Sequence, residues 1–552
     1  MSRPIHTAPP AALQLATRVA LACALLLATA TGSPAASSEQ TCLLGIQSAV
    51  TKFTKAQSKD AKGCMQARAK GTSTGTNAGR CLVDDVAGRI AKAATKATAL
   101  QNAKCPSPPA FGYAAPATVQ NAAAEQALGL LDDLFGSQPG SAVLVKSADP
   151  TGALCQTKAL SSLQRLAHTE RKEFATCVRK GFKEGTITDA TSTGACIDAM
   201  VTDASGKIAK SRAKLAKTIS GKCPAPASTL SGPCGDAADV SACLAGKVTC
   251  RNCLLLSEAH GLDTDCDLAD DGAANASCIE CNGAASLCDR RFDEVVYPTS
   301  HNAMSNNADG WTAPNQNRSV PDQLAAGTRS VMLDTWYWDE DGDGTDDAVL
   351  CHGGEVFPGV GCDILGIRPA AEGLAELTTF LEQNPDEVLS IIFESYINES
   401  DTATAFADSG LDAYVHSQSS GTPWPTLREL IAAGTRMVVF TDRSESALPW
   451  HHYVWNYAWE TNFSALEPDD LLCGPNRGST DSSLMILNHF LTNPFAFPHL
   501  AEEVNPNPFL QQRARNCQDE SAQLPNFVTV DFEDIGDLYP TVRALNGLPP
   551  TN

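Results

Sequence analysis

Two groups of four cysteines with nearly the same spacing constrain the N-terminal half of this 552-residue chain more than any other feature. The first group reads C-x21-C-x16-C-x23-C from Cys42, and the second reads C-x21-C-x18-C-x26-C from Cys155. The stretches between the first and second and between the third and fourth cysteines are rich in Ala, Lys, Leu and Gln, which favour helices. The pattern therefore predicts an internal duplication of an all-α unit with two helices in each copy.

Antiparallel helices bring the outer cysteines of each copy together at one end and the inner cysteines together at the other. The disulfides predicted on this basis are Cys42 with Cys105, Cys64 with Cys81, Cys155 with Cys223, and Cys177 with Cys196. The lysine-rich stretch 207–214 makes the unit either an arm that contacts a membrane or a cell surface, or a spacer whose lysines only face solvent. We favour the spacer, because charged helix faces are ordinarily solvent contacts.

The N-terminus has the features of an export signal. Arg3 and Arg18 precede an apolar stretch at 19–31, and small residues follow it. We therefore expect residues 1–36 to be removed and the mature protein to be secreted, periplasmic or held at the cell surface. No later stretch reaches the roughly 18 to 20 apolar residues that cross a bilayer, so we expect no transmembrane span. Disulfides persist outside the cytoplasm, which agrees with the abundance of cysteine.

A third group of cysteines lies between residues 234 and 288 and includes two C-x-x-C motifs, which begin at Cys250 and Cys278. This arrangement is similar to that of a zinc ribbon. In an exported chain with an even number of cysteines in its mature part, disulfides are the favoured state, and zinc is the alternative.

The two halves of the chain differ in charge. Residues 291–552 contain 39 Asp and Glu, 11 Arg and no Lys, which gives 11 − 39 = −28. The remaining residues hold 30 basic and 24 acidic side chains, a net of +6, within a total of −22. An acidic C-terminal half excludes nucleic acid as a partner, because duplex binding depends on cationic side chains that displace phosphate counterions.

From residue 292 onward, short apolar runs alternate with helical segments, as expected of an α/β domain. The predicted strands are 295–298, 330–334, 349–351, 388–393, 436–440, 484–488 and 527–531. About 260 residues with this alternation is the size of one (β/α)8 TIM-type barrel.

Reactive groups of such barrels lie where the strands end. The polar residues that close the predicted strands are His301, Asn302, Asp334, His352, Glu394, Thr441, Asp442, Asn488, His489 and Asp531. Two imidazoles and several carboxylates at one end of a barrel have the composition of an acid/base site. The histidines expected to be structural are His416, His451, His452, His489 and His499.

Eight segments of the C-terminal half have a distinctive sequence, order and spacing. They are 298–304 (PTSHNAM), 323–336 (QLAAGTRSVMLDTW), 350–353 (LCHG), 380–388 (FLEQNPDEV), 392–396 (IFESY), 424–427 (WPTL), 436–441 (RMVVFT) and 525–532 (PNFVTVDF). The first five resemble the catalytic X region of phosphatidylinositol-specific phospholipase C, and the last three resemble the secreted PLC-like phosphodiesterase branch. The likeness covers about residues 290–545 and leaves the N-terminal half unexplained.

The resemblance implies a phosphodiesterase that cleaves phosphatidylinositol-type phosphodiesters through a cyclic phosphate. In this family, His301 matches the base that deprotonates the inositol 2-hydroxyl, and His352 matches the acid that protonates the departing glycerol oxygen. Asp531 lies where a carboxylate orients His301. The alternatives are hydrolysis of glycerophosphodiesters and a surface adhesion protein with a catalytically weak barrel.

The resemblance also implies a calcium ion, held by Asn302, Asp334 and Glu394. The chain departs from the family at two nearby positions: a further acidic ligand is replaced by Met332, and Trp336 stands where metal-free bacterial members have an arginine. Because a phosphodiester anion needs positive charge beside it in so acidic a domain, calcium is the expected cofactor.

A second calcium site is one interpretation of the acidic segment 339–347. The residues that match ligand positions of a calcium-binding loop are Asp339, Asp341, Asp343 and Asp347. Position 12, however, is Leu350, where a bidentate glutamate belongs. The segment is therefore either a structural calcium clip or a solvated turn.

Two further expectations concern the barrel. Arg329 either contacts the substrate phosphate or forms a salt bridge on the barrel wall. The four cysteines of this half leave the disulfides Cys351 with Cys362 and Cys473 with Cys517.

The predicted domains combine these features. They are a signal peptide (1–36), a Cys-rich helical hairpin repeat (37–110), a linker with a short helix (111–154), a second repeat (155–228), a small Cys-rich connector (229–289) and a PLC-like phosphodiesterase barrel (290–552).

Overall fold

The computed structural model describes residues 37–72, 85, 88–136, 139–223, 229–271, 275, 277–340, 342–353, 361–443 and 446–548. The predicted signal peptide, Cys81 as the predicted partner of Cys64, and Asp341 of the acidic loop lie outside the described residues. The N-terminal half is helical, and the C-terminal half is an α/β unit.

The described part of the N-terminal half is helical. Its helices are α1 (Ser38–Ala69), α2 (Arg89–Lys104), α3 (Pro116–Phe135), α4 (Pro139–Ala142), α5 (Pro150–Glu184), α6 (Ala190–Thr202), α7 (Lys207–Lys222), α8 (Val240–His260) and α9 (Cys266–Asp271). The long helix α5 begins at Asp149, whose side chain accepts the N–H of Gly152 at 2.8 Å, and ends at Gly185, which has a left-handed backbone conformation. Its buried residues recur every three or four positions, so one stripe faces the core.

The disulfides agree with the predicted duplication. Cys42 bonds to Cys105 between the start of α1 and the end of α2, and Cys155 bonds to Cys223 between α5 and the end of α7. The predicted Cys177–Cys196 bond is also present. The second copy nevertheless has three helices instead of the predicted two, because a capping box at Asp189 starts the separate helix α6.

The predicted linker and connector contribute to the helical core. Helix α3, in the predicted linker, buries Val119 and Leu134, and helix α8, in the predicted connector, buries Leu244, Val248 and Leu256. These side chains belong to the same apolar clusters as those of α1 and α5. Where a linker with a short helix was predicted at 111–154, the structure has a 20-residue helix with a buried face.

The cysteines of the third group form disulfides. The bonds are Cys234–Cys243, Cys250–Cys278, Cys253–Cys266 and Cys281–Cys288. Each C-x-x-C motif therefore sends its two sulfurs to different partners, and the zinc-ribbon alternative does not hold.

The C-terminal half is built on one sheet. Its strands are β1 (Tyr297–Ser300), β2 (Ser330–Trp338), β3 (Asp347–Leu350), β4 (Arg368–Pro369), β5 (Leu389–Ser395), β6 (Met437–Thr441), β7 (His451–Tyr453), β8 (Ala458–Thr461), β9 (Pro475–Gly478), β10 (Leu484–Asn488) and β11 (Phe527–Val530). Parallel ladders join them in the order β7, β6, β5, β2, β1, β11, β10 and β8. Strands β3 and β9 pair antiparallel with β2 and β8.

This strand order is that of a half-barrel sheet. Within the described residues no ladder joins β7 to β8, so a complete TIM barrel is not confirmed. An aromatic cluster fills the interior, and its largest buried members are Phe292, Tyr297, Phe440 and Phe527. The helices of this half are α10 (Val320–Ala326), α11 (Cys362–Leu365), α12 (Ala370–Gln383), α13 (Glu399–Ser409), α14 (Leu427–Ala432), α15 (Pro498–Val504), α16 (Phe509–Ser521) and α17 (Leu538–Leu545).

Buried ion pairs join the two halves. Arg290, just before β1, donates to Asp132 of α3 at 3.0 Å, and Arg543 of α17 lies 3.3 Å from Glu125. Charged groups at such depth persist because each is paired. Among the described residues, no helix is both long enough and apolar enough to cross a membrane.

Candidate active site

His301 follows β1 and is held in place by its backbone, its ring face and one ring nitrogen. Its N–H donates to Val530 O at 3.0 Å, and its ring stacks on Phe490 with centroids 3.9 Å apart. Nδ1 lies 2.9 Å from Asp531 Oδ1. Because a carboxylate only accepts, Nδ1 carries the proton, and Nε2 is left as a proton acceptor.

Asp531 follows β11, the parallel neighbour of β1, which explains its contact with His301. Its side chain is buried, and Asn315 Nδ2 also donates to its Oδ1 at 2.9 Å. Asn505 Nδ2 donates to its backbone oxygen at 2.9 Å. The carboxylate is therefore fixed before any ligand arrives, and it fixes the orientation of His301 in turn.

His352 is paired with a different carboxylate. Its Nδ1 lies 2.7 Å from Asp334 Oδ2, and its side chain is 35% exposed. The preceding residue, Cys351, donates its N–H to Asp334 O and is bonded to Cys362. Burial by itself lowers the pKa of His352, but the hydrogen bond and charge of Asp334 and the charge of Glu394 outweigh it, so the pKa is raised.

The position of His352 differs from the sequence prediction in one respect. The strand before it, β3, is not one of the parallel strands but the antiparallel partner of β2. Leu350 pairs with Thr335, so the hairpin brings the residues after β3 beside Asp334.

Asn302 connects the two histidine–carboxylate pairs. Its Nδ2 lies 3.5 Å from His352 Nε2 and 3.5 Å from Asn315 Oδ1, and Asn315 also contacts Asp531. Asn302 is buried and has a positive φ of 45°, a conformation that asparagine tolerates better than most residues. The two imidazoles are thus parts of one polar network.

A cavity of about 150 Å³ opens beside this network. Its lining includes His301, Asn302, Asp334, Glu394, Asp442, Glu460, Arg477 and Asn488, together with the apolar or aromatic side chains of Met332, Ile392, Trp455, Phe463 and Phe490. A small enclosed space with converging polar groups is the usual form of a ligand site.

Sequence reasoning missed Glu460 and Arg477. Glu460 lies on β8 and Arg477 on its antiparallel partner β9, where Arg477 Nε donates to Glu460 Oε1. Both strands are only four residues long, and β9 is fully exposed, so neither forms a recognisable apolar run. The available signal was the segment 458–461 (AWET), a short run closed by polar residues.

The predicted calcium ligands make other contacts in this structure, and calcium binding by them stays a prediction. Asp334 is engaged by His352, and Glu394 Oε1 accepts from Arg443 at 3.2 Å and from Tyr396. At the position of the missing acidic ligand, Met332 pairs with Ile392, which places apolar side chains in the lining. The described residues contain no group of three His, Cys, Asp or Glu side chains suited to a metal.

Arg329 does not reach the cavity, which corrects its prediction as a substrate-binding residue. It immediately precedes the first residue of β2, whereas Asp334 lies in the middle of that strand. Its Nε donates to Glu387 at 2.6 Å, its Nη1 donates to two backbone carbonyls, and its guanidinium lies over Phe380. It forms the wall salt bridge that was the alternative.

The acidic segment 339–347 bonds largely to itself in its described part. Asp339 Oδ2 accepts the N–H of Gly344 at 3.1 Å, and Asp343 Oδ1 accepts that of Thr345 at 2.8 Å. Such contacts are typical of turns. Asp347 lies in β3, and binding of calcium here stays a prediction.

The remaining histidines lie outside the network. His489 is fully buried between Val504 O and Arg513, and burial lowers its pKa to about 3. Burial also lowers the pKa of His451 and of His452 to about 4 and lowers that of His416, while His499 stacks on Phe497. These environments agree with the structural roles predicted for them.

Comparison with known proteins gives the family. Residues 287–546 match the family model PI-PLC X 1. The C-terminal half is a PI-PLC X domain. The predicted resemblance is thereby confirmed for this part of the chain, and the two histidine–carboxylate pairs lie within the matched residues.

Relatives share the PI-PLC X domain at modest identity. A PI-PLC X domain-containing protein of Arabidopsis thaliana is 28% identical over 280 residues, 46% of this chain and 62% of that protein. PI-PLC X domain-containing protein 1 of Arthroderma benhamiae is 29% identical over 294 residues, 49% of this chain and 90% of that protein. An uncharacterized secreted protein of the same fungus is 26% identical over 288 residues, 48% of this chain and 62% of that protein. No solved structure matches the chain.

Proposed function

We propose that the PI-PLC X domain is a phosphodiesterase that cleaves phosphatidylinositol-type phosphodiesters by general acid/base catalysis. The observation that carries the proposal is the pair of imidazoles, each bonded through Nδ1 to its own carboxylate and joined through Asn302, with His301 and Asn302 lining the cavity. In neither ring is Nε2 bonded to a carboxylate, so this nitrogen is the one that we propose for proton transfer.

In the proposed reaction, His301 Nε2 accepts the proton of the substrate hydroxyl next to the phosphodiester. The hydroxyl oxygen then bonds to phosphorus, and the bond from phosphorus to the glycerol oxygen breaks. His352 Nε2 donates a proton to that oxygen, so the products are a cyclic phosphate and an alcohol. The raised pKa of His352 supports its role as the acid, because it keeps the ring protonated at higher pH.

Asp531 and Asp334 are positioning residues in this scheme. Each accepts the Nδ1 proton and holds the ring in the tautomer that directs Nε2 away from the carboxylate. Asn302, predicted as a metal ligand, is better placed to order the space between the rings.

Phosphatidylinositol is the proposed substrate, and the helical half is the proposed membrane contact. The PI-PLC X half has a charge of −28 and no lysine, and an acidic surface is repelled by anionic lipid. Without the predicted signal peptide, residues 37–290 hold 28 basic and 24 acidic side chains, a charge of 28 − 24 = +4, and carry exposed lysines on α7 such as Lys210 and Lys214. We also propose that the sheet closes as a TIM-type barrel, which its parallel strand order supports.

We propose that the protein acts outside the cytoplasm. The disulfides in both halves support this location, because such bonds persist in oxidising compartments. The printed name of one Arthroderma relative describes that protein as secreted.

The test is an assay of purified protein with phosphatidylinositol in mixed micelles. We expect release of a cyclic inositol phosphate that falls by about 100-fold or more in His301→Ala and in His352→Ala. His499→Ala is the matched control, because this histidine is exposed and outside the network, and it should retain full activity.

Other results would replace the proposal. Turnover of glycerophosphodiesters that contain no inositol would assign a different substrate class. Absence of turnover of either substrate class, with binding of the protein to cell surfaces, would support the adhesion alternative. Full activity in either alanine variant would contradict the mechanism.

A further inference from the structure

The cavity contains many negative charges for a site that takes a phosphodiester anion. Asp334, Glu394, Asp442 and Glu460 all contribute to its lining. Carboxylates this close together repel one another and an incoming anion. A positive group beside the phosphate offsets this repulsion, and in this structure the predicted calcium ligands Asp334 and Glu394 each accept a hydrogen bond from another side chain.

Arg477 is the permanent cation of this lining. Among the described residues that line the cavity, it is the only lysine or arginine. Its side chain is 43% exposed, so solvent and a ligand both reach it. Arg443 does not line the cavity. It pairs with Glu394, and its guanidinium carbon lies 3.8 Å from the ring centroid of Tyr396.

The guanidinium of Arg477 is held on three sides. Its Nε donates to Glu460, whose side chain is 4% exposed. Its carbon lies 4.6 Å from the ring centroid of Trp455 and 4.7 Å from that of Phe463. Aromatic contacts of this kind stabilise a cation without neutralising it.

The carboxylate of Glu460, which supports Arg477, is itself held rigidly by two amide groups. Asn476 Nδ2 donates to its Oε1 and Asn488 Nδ2 to its Oε2, both at 3.0 Å. Asn488 ends β10, so the support is anchored in the parallel sheet.

Part of the guanidinium remains open to a ligand. Arg477 Nη1 is 3.6 Å from Asp442 Oδ2, beyond hydrogen-bond distance, and Nη2 has no hydrogen-bond partner within the part of the chain that the structure describes. Nη1 thus keeps an ion pair with Asp442 without a hydrogen bond, and the planar guanidinium can still direct its two amino groups to phosphate oxygens.

We propose that Arg477 supplies the positive charge beside the phosphodiester in place of a divalent cation, held by Glu460, Trp455 and Phe463. This inference rests on the proposed function for its catalytic consequence, but binding of the anion tests it independently. Arg477 then contacts a non-bridging phosphate oxygen and stabilises the charge that develops there during attack.

The test compares Arg477→Gln, Arg477→Lys and the matched control Arg291→Gln. Arg291 has a side chain that is 44% exposed and is likewise paired with two carboxylates, but it does not line the cavity. Hydrolysis of phosphatidylinositol is measured in EDTA and in calcium. Binding of glycerophosphoinositol in EDTA is measured by calorimetry in a His301→Ala background, where no turnover interferes.

We expect wild-type activity to be the same in EDTA and in calcium. Arg477→Gln should lower kcat/KM by about 100-fold, with Arg477→Lys between it and the wild type and Arg291→Gln unchanged. The Arg477→Gln substitution should also weaken glycerophosphoinositol binding. If Arg477→Gln does not fold, the comparison of Arg477→Lys with the wild type tests the role of Arg477, because the lysine variant keeps the positive charge but loses the guanidinium.

The outcomes separate this inference from the proposed function. Strict calcium dependence, or binding by Arg477→Gln and Arg477→Lys equal to that of the control, overturns the role of Arg477. Binding that depends on Arg477 without any turnover of phosphatidylinositol supports the anion site and rejects the proposed reaction. Absence of both turnover and binding rejects both.

Discussion

At the scale of single residues, the site depends on two hydrogen bonds between imidazole and carboxylate. Asp531 fixes His301 from a neighbouring parallel strand, and Asp334 fixes His352 across a hairpin. Burial by itself lowers the pKa of His352, but the hydrogen bond and charge of Asp334 and the charge of Glu394 outweigh it and raise the pKa. This rise suits His352 to the task of a proton donor within the shared network.

The Asp334→Asn variant tests the origin of this rise. An acid must be protonated to act, so activity falls as the pH rises through the pKa of His352. Asp334 raises that pKa above 6.5 and extends activity toward higher pH. Without its negative charge, the alkaline limb of the profile of kcat/KM against pH should move to lower pH. An unmoved limb would show that another group is the acid.

The sequence predicted those site residues that close an apolar run. His301 and Asp531 each follow a strand with buried neighbours, and motif resemblance added His352. Asp334 was predicted to end its strand, but β2 continues past it to Trp338. Arg477 was not predictable in this way, because it lies on an exposed four-residue strand and points to its site only through β8. Arg329 was wrongly predicted to bind substrate, because the apolar pattern of a strand does not show at which of its ends the functional residues lie.

At the scale of elements, the hairpin of β2 and β3 determines where the proposed acid lies. Its antiparallel register places Leu350 opposite Thr335, and the Cys351–Cys362 bond then ties the following loop to α11. The sequence predicted a strand here but treated it as part of the parallel sheet. Apolar content identifies a strand, whereas its direction follows from pairing that only the fold reveals.

Removal of the Cys351–Cys362 bond should affect catalysis more than folding. In the Cys351→Ala/Cys362→Ala variant, we expect kcat/KM to fall by about 10- to 100-fold, because small displacements of an acid group are costly. Cys234→Ala/Cys243→Ala removes a bond of similar span from the helical half and is the control. Equal activity in the two variants would argue against a positioning role for the loop.

The disulfide that closes the second helical repeat should matter for stability. Cys155 and Cys223 are 68 residues apart, whereas Cys234 and Cys243 are 9 apart. On chain entropy alone, loss of the longer closure costs about 4 kcal/mol and loss of the shorter about 3 kcal/mol. Urea unfolding followed by helical circular dichroism measures both. A larger loss in the shorter loop would contradict this explanation.

At the scale of the whole molecule, charged groups at the junction of the halves hold the helical unit against the PI-PLC X domain. Arg290, before β1, bonds to Asp132 of α3, and Arg543 of α17 pairs with Glu125 of the same helix. Partners so far apart in the chain have no local sequence signal. The charge break near residue 290 marked the boundary, but it gave no indication that a charged junction crosses it.

Three carboxylates at this junction, on Glu125, Glu258 and Glu280, make stability depend on pH. Burial and the charges of Glu125 and Glu258 raise the pKa of Glu280 to about 8, and burial raises that of Glu258 to about 7. A raised pKa means that the folded state binds the proton of the carboxyl group more tightly than the unfolded state does. The stabilisation that this proton gives the folded state is complete below pH 4.5 and is lost as the pH rises toward 8.

Glu280→Gln should therefore raise the free energy of unfolding at pH 8 and change it little at pH 4. The amide oxygen still accepts from Gln126, so the contact is preserved. Urea unfolding at both pH values measures the difference. A variant that is less stable than wild type at pH 8 would show that the ionised carboxylate is well solvated there.

The most direct test of the two-histidine mechanism is phosphorus NMR of the first product formed from phosphatidylinositol. Intramolecular attack with His301 as the base requires that a cyclic inositol phosphate appears first and that a substrate with a methylated 2-hydroxyl is not cleaved. Direct formation of the open phosphate carrying oxygen from labelled water, or cleavage of the methylated substrate, would contradict it.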